Sequence, residues 1–284
     1  MANIPREIEE LKYWTTLLYE ILEENKKYIA KKSNDWLIDS EPLVLKVAVH
    51  CLSILDLLEG TKPSIPTIKS NINFIDNFSI ETIVRSSMET YLVFYYVYLD
   101  KLVGKRIRKL RYKIWQASSL AQRQRQAAIT TNQLQQLLKK EKSNYLKLRR
   151  EILNSKSFSK IKLLQMKDFL KKKPFDWKPI EGWRGIAKTS PMTEYFWGDV
   201  YNILSSTTHS NAVITNYFQN KNIKDTQERR SLSAVHYLNL IIPLFIEGYS
   251  QLFPSVNIYI KKDSNLLLNI KIAKAVVGNY NSIK

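Results

Sequence analysis

Residues 79–100 read SIETIVRSSMETYLVFYYVYLD, and this stretch decides the fold class. Ser79 reads as a helix N-cap, and Glu81 in the first turn suits the positive end of the helix dipole. Neither Gly nor Pro interrupts the stretch. The apolar positions Ile80, Ile83, Val84, Met88, Tyr91, Leu92, Tyr95 and Val97 cover most of the circumference, so the spacing predicts a helix buried from several sides. Arg85 and Glu89 are set into this face four residues apart, where helical side chains are neighbours. Removing such charges from water costs several kcal/mol per ion unless partners compensate. The pair therefore either clips a bundle together or lines a site.

Composition agrees with an all-α class. Of 284 residues, 44% are hydrophobic and only 7 are Gly and 9 Pro, too few for a loop-rich or all-β chain but enough apolar material for a substantial core. The formal charge is +18, from 44 Lys and Arg against 26 Asp and Glu. A surplus that large repels itself unless a polyanion or anionic surface offsets it, which makes nucleic acid the leading partner; a solvated, Lys-rich surface set by base composition is the alternative. The single Cys51 excludes a disulfide framework within the chain and fits a reducing cytoplasm. MANIPREIEELKYW at the start carries acids and no apolar core of a signal peptide. The most apolar run, LNLIIPLFIEGYSQLF at 238–253, is broken by Pro243 and Glu247. The expectation is a cytoplasmic protein with no membrane partner.

Working outward from the opening stretch, a first amphipathic helix starts after Pro5, with Ile8, Leu11, Trp14, Leu18, Ile21 and Leu22 inward, and runs to about Ala30. A second, capped by Asp39 or Ser40, ends at Gly60 and carries His50 as an ordinary half-buried histidine. Residues 61–77 read as an ordered surface loop. Beyond Asp100 the chain turns basic: 101–150 holds 15 Lys and Arg and one acid, Glu141. Two helices broken near 130–132 are predicted to form a protruding basic hairpin over 101–154, the second helix turning Leu134, Leu137, Leu138, Tyr145 and Leu148 inward. Lys105, Arg106, Arg108, Lys109, Arg111, Lys113, Arg123, Arg125, Lys139, Lys140, Arg149 and Arg150 are its candidate nucleic-acid contacts.

Residues 155–173 read as a further basic helix, and 174–191, with Trp177 and Trp183, as a covering loop. A helix from about Thr193 presents Tyr201, Leu204, Ser205 and His209 on one face. The last long helix spans about 226–253. After Pro254, Val256, Ile258 and Ile260 alternate with polar residues, as do Leu266, Leu268, Ile270 and Ile272, which predicts a small C-terminal β-hairpin, with a helical tail as its rival. The expected organisation is a helical bundle over 1–254, with 101–154 inserted, and an appendage over 255–284.

His50, His209 and His236 are far apart, and no zinc spacing, P-loop or dinucleotide turn occurs, so no metal or cofactor is expected. The helix R-x-x-x-E with a closing Asp, here Arg85, Glu89 and Asp100, and the later Y-x-x-L-S-x-x-x-H, here Tyr201, Leu204, Ser205 and His209, resemble a family of uncharacterised bacterial all-helical proteins. That family is similar to the HEPN superfamily, to which many abortive-infection and toxin proteins belong. The similarity spans about 80–211. It implies a metal-independent ribonuclease with an R-x4-6-H motif, often at a dimer cleft, in which an Arg fork steadies charge on the phosphate and a His shuttles the proton. On this resemblance Arg85 contacts phosphate, Glu89 orients Arg85, His209 is the acid or base, and Tyr201, Ser205 and Asn202 line the site. The chain departs from the motif at His209, because no Arg lies four to seven residues before it and Asn202 takes the outermost slot. Arg230-x5-His236, with Ser231 after the Arg, is a formal match and a secondary catalytic candidate. The expected function is an RNA-acting effector of phage defence or of a toxin system. The alternatives are a non-catalytic nucleic-acid-binding subunit of a nucleoprotein defence complex and a structural protein-interaction module, with a homodimer or a partner protein in view.

Overall fold

A computed structural model of the chain describes residues 5–26, 32–60, 75–126, 131–208 and 223–280. The described residues form eleven α-helices and no strand: α1 (Arg6–Asn25), α2 (Glu41–Leu58), α3 (Asn77–Phe94), α4 (Lys105–Arg123), α5 (Asn132–Leu153), α6 (Met166–Leu170), α7 (Gly182–Thr189), α8 (Glu194–Thr208), α9 (Ile223–Leu252), α10 (Pro254–Lys261) and α11 (Ser264–Gly278). The all-α reading holds. Contacts divide the chain into two compact units, one of Met1–Tyr91 with Pro191–Lys284 and one of Leu92–Ser190.

In the first unit α9 carries a long buried stretch. Val235, Leu238, Ile241, Ile242, Phe245, Ile246 and Tyr249 recur at helical spacing and are fully buried, and each large apolar side chain so removed from water contributes about 1.5–3 kcal/mol. α1, α2, α10 and α11 pack against it. From α3, Tyr91 meets Phe245 edge to face, with ring centres 5.1 Å apart. Asn25 joins three helices, donating to Glu41 Oε2 at 2.9 Å and to the Tyr249 hydroxyl at 2.6 Å. α9 has the length and hydropathy to cross a bilayer, yet 67% of that stretch is buried within the protein.

Two details of the opening helix differ from expectation. It starts at Asn77 because Asp76, not Ser79, supplies the cap: Asp76 Oδ1 accepts from Ser79 N at 3.1 Å and Oδ2 from the Ser79 hydroxyl at 2.6 Å. At its other end it loosens into a π-helical turn, Tyr95–Leu99, before Asp100. Gly60, at φ 86°, follows α2 in the left-handed region that favours glycine.

The expected C-terminal β-hairpin is overturned: α10 and α11 occupy that sequence. Val256 and Ile260 are buried while Ile258 is 60% exposed, and Leu266 and Ile270 are buried while Leu268 is 55% exposed. The inward positions thus recur every four residues, a helical period, and the intervening apolar residues that suggested alternation face outward. Pro254 at the first turn of α10 and Asp263, whose carboxylate caps α11 at Asn265 N and Leu266 N, mark the helix starts.

In the second unit α4 and α5 are antiparallel, since Lys113 pairs with Glu151 and Arg123 with Glu141. Their facing residues Leu110, Ile114, Ala117, Tyr145 and Ile152 share a core with Ile161, Leu163, Phe169 and Phe175. The hairpin therefore packs against the segment that follows it. That segment is not the predicted basic helix over 155–173. Ile161 and Leu163 are both buried, whereas a helix would set them about 200° apart; the chain instead makes a 3-10 turn, Phe158–Lys160, an extended step at Ile161 and the short α6. Leu134 and Leu137, expected inward on α5, are 37% and 43% exposed, and Leu138, Glu141, Tyr145 and Ile152 form its buried stripe. The expected loop over 174–191 contains α7.

Candidate functional site

Arg85 and Glu89, one turn apart on α3, meet Tyr201 of α8. Arg85 Nε lies 3.5 Å from Glu89 Oε1, and the two side chains are 20% and 32% exposed. The Tyr201 hydroxyl accepts from Arg85 Nη2 and donates to Glu89 Oε1 at 3.2 Å. The guanidinium carbon also sits 4.4 Å from the centre of the Tyr201 ring, against the face of negative charge. Trp197, one turn earlier on α8, backs that ring with centres 4.4 Å apart. Burial first, and the Glu89 carboxylate second, raise the Tyr201 pKa, so the phenol keeps its proton and remains a donor near neutral pH. One turn on, Ser205 is half-buried and its hydroxyl has no partner among the described residues. Asn202 is exposed, and His209 lies outside the described residues. A fixed guanidinium, a carboxylate and a phenol thus converge on one partly open patch, an arrangement able to hold an oxyanion.

Arg230 has a different occupation. Its Nε and Nη2 fork onto both oxygens of Glu81 at 2.7 and 2.9 Å, and Glu81 is 3% exposed. The geometry is that of a bidentate structural pair between α9 and α3. His236 is exposed, and six positions along a helix set it about 120° around from Arg230. The two do not converge through the helix they share. Among the described residues no group of three His, Cys, Asp or Glu is placed to hold a metal ion.

His50 on α2 has its Nδ1 2.8 Å from the hydroxyl of Ser87, which is fully buried and out of a substrate's reach. Burial, reinforced by Lys46, lowers the His50 pKa to about 4 from 6.5. Unfolded chains take up this proton near pH 6.5 and native ones only near 4, so the unfolded state binds more protons in that window and stability falls as pH drops through it. His50→Gln should flatten the acid limb of a plot of urea midpoint against pH between about 7 and 4.5, leaving the plot above about pH 7 parallel to that of the wild type.

The candidate contacts of the basic hairpin separate into two sets. Arg108 and Arg111 point inward from α4: Arg108 Nη1 donates to the Tyr98 carbonyl at 2.7 Å, and Arg111 Nη1 to Asp100 Oδ2 at 2.7 Å and the Tyr96 carbonyl at 3.1 Å. Arg149 similarly donates to the carbonyls of Phe169 and Leu170. These arginines satisfy the last carbonyls of helical turns. Lys113 and Arg123 pair with Glu151 and Glu141 at 2.8 and 3.0 Å. Lys109 is half-buried, while Lys105, Arg106, Arg125, Lys139, Lys140 and Arg150 are exposed. On α5, Lys139, Lys140, Lys147 and Arg150 lie opposite the buried stripe, and Lys139 to Arg150 spans about 16 Å of helix axis at 1.5 Å per residue.

The charge is also segregated by unit. Leu92–Ser190 contains 25 Lys and Arg against 6 Asp and Glu, a net +19. The remainder holds 19 against 20, a net −1. Sequence reading saw the basic run to residue 150 and the further basic stretch over 155–173, and missed that the two belong to one compact unit and that the remainder of the chain is nearly neutral. No family model, no curated protein and no solved structure matches the chain.

Proposed function

We propose that the 92–190 unit binds nucleic acid through its phosphate backbone, with RNA as the polymer. The charge partition carries this reading: a self-repelling +19 unit attached to a nearly neutral one is offset by a polyanion, and the exposed cations of α5 form a stripe in which Glu151, beside Lys147, is the one neighbouring acid among the described residues of that helix's exposed side. Arg108, Arg111 and Arg149 hold the unit together and do not count among the contacts. Binding to a single-stranded RNA, measured by fluorescence anisotropy from about 50 to 300 mM salt, should give a log–log slope of about −3 or steeper, at about −0.7 per phosphate neutralised. A slope near zero would remove the reading, and an acidic protein would then be the partner to seek.

The cluster of Arg85, Glu89 and Tyr201 supports a second reading, in which the chain cleaves RNA without a metal. Its resemblance to HEPN-type ribonucleases supplies the chemistry: Arg85 steadies the charge on phosphate, Glu89 and Tyr201 hold the guanidinium, and His209 moves the proton. The role in phage defence or a toxin system rests on that resemblance alone. RNA cleavage in EDTA should fall about 100-fold or more in both Arg85→Ala and His209→Ala with RNA binding retained. Cleavage by an active wild type that neither substitution diminishes excludes the assignment.

A further inference from the structure

We propose that a cavity of about 520 Å³ within the 92–190 unit binds a nucleoside phosphate. This goes beyond the RNA-binding function, since it stands whether or not the helical hairpin holds a strand. Its wall carries three cations, Arg111, Lys160 and Lys162. The Asp100 carboxylate beside them is spent on Arg111 Nη1 and on Leu102 N. Arg111 is fixed from behind: its guanidinium carbon stacks 3.8 Å from the Tyr96 ring centre, and Nη1 alone serves Asp100 and the Tyr96 carbonyl. The Nε and Nη2 edge has no partner among the described residues and suits two oxygens of a phosphate. Because the side chain is already ordered, binding loses little of its rotamer freedom.

Lys160 and Lys162 reach the cavity for a backbone reason. Ile161 between them is extended, at φ −105° and ψ 124°, and turns into the core. Alternate residues of an extended segment point the same way, so Lys160 and Lys162 share one side of it, and Ile161 lines the cavity between them. Gly104, the N-cap of α4, also lines the cavity, and the first turn of that 19-residue helix contains no acid to offset its positive end.

The other lining groups specify more than an inorganic anion. Ile107 and Pro179 present apolar surface, suited to a base or ribose face, and the Glu181 carboxylate offers an acceptor for ribose hydroxyls or a base amino group. The volume lies in the range of about 300–1,000 Å³ of small-molecule sites. The shared chemistry is a phosphate on a nucleoside, either free or at the end of a strand.

The test is calorimetry on the full chain, titrated in turn with AMP, GMP, CMP, UMP, their nucleosides and inorganic phosphate. At least one nucleotide should bind about tenfold or more tighter than its nucleoside and than phosphate. The double variant Lys160→Glu, Lys162→Glu should lose that preference, whereas Lys139→Glu, Lys140→Glu, Arg150→Glu should keep it. That last contrast separates failure of this site from failure of strand binding. Displacement of the nucleotide by a 5′-phosphorylated RNA but not by its 5′-hydroxyl twin identifies a strand end as the source; displacement by neither identifies the free nucleotide. No nucleotide preference, an unchanged preference in the Lys160, Lys162 variant, or equal displacement by both strands overturns the proposal.

Discussion

Reversing Lys139, Lys140 and Arg150 to glutamate should lower RNA affinity at about 100 mM salt by about tenfold or more and make the salt slope shallower by about 2, the loss of three phosphate contacts at about −0.7 each. All three side chains are exposed on α5, and Lys139 and Arg150 lie on one face of it about three turns apart. That face is opposite the stripe of Leu138, Tyr145 and Ile152 that holds α5 in its unit, so helix content should be retained, which far-UV circular dichroism checks. The matched control is Lys261→Glu, Lys262→Glu, Lys271→Glu, which reverses three exposed lysines of α10, its C-cap and α11 in the neutral unit. If binding is a property of the basic unit, the control loses less than about threefold. Equal losses in the two triples would mean that net charge alone attracts the polymer and that no face of α5 engages it.

How much of this was readable in the sequence depended on whether a signal was local. The α3 helix declared itself because apolar residues surround it, and the Arg85–Glu89 contact follows from a spacing of four on any helix. Tyr201 was placed near that pair only through a motif on a distant helix, and its bonds to both charges needed α8 to be folded against α3. Ser79 passed for the cap because Ser and Asp are both cap residues, and Asp76 lies only three positions earlier. The C-terminal alternation misled because Val256 and Ile258 are alike in hydropathy, while burial separates them. Arg108 and Arg111 looked like any other cations of a basic run; that they turn inward is decided by the carbonyls at the end of the π-helical turn, which no composition records. The change to basic sequence after Asp100 was plain, but the edge of the unit that carries it was not, because one boundary between the units falls inside α3, where no linker or Pro-Gly stretch announces it.

The π-helical turn also sets the largest expected loss of stability. Asp100, 2% exposed, ends that turn with its own N–H on the Tyr95 carbonyl at 3.0 Å. Its Oδ1 accepts from Leu102 N at 3.0 Å, and its Oδ2 pairs with Arg111, whose side chain is 13% exposed. Asp100→Ala removes the acceptor for the turn and leaves a guanidinium largely buried, stacked on Tyr96 and without its counter-charge. Breaking a buried ion pair from one side costs about 3–5 kcal/mol, because the surviving charge is left desolvated. Asp100→Asn keeps an acceptor for Leu102 N and loses only the charge, so its cost should be smaller. The double variant Asp100→Ala, Arg111→Met removes the stranded cation and should recover part of the loss, as happens when a buried pair is replaced by apolar side chains. Urea unfolding measures all three, and amide exchange in the first turns of α4 locates the damage. A loss below about 1 kcal/mol for Asp100→Ala, or no recovery in the double variant, would show that Arg111 finds solvent when its partner is gone, and the pair would then be a surface contact of the kind worth about 0–1 kcal/mol.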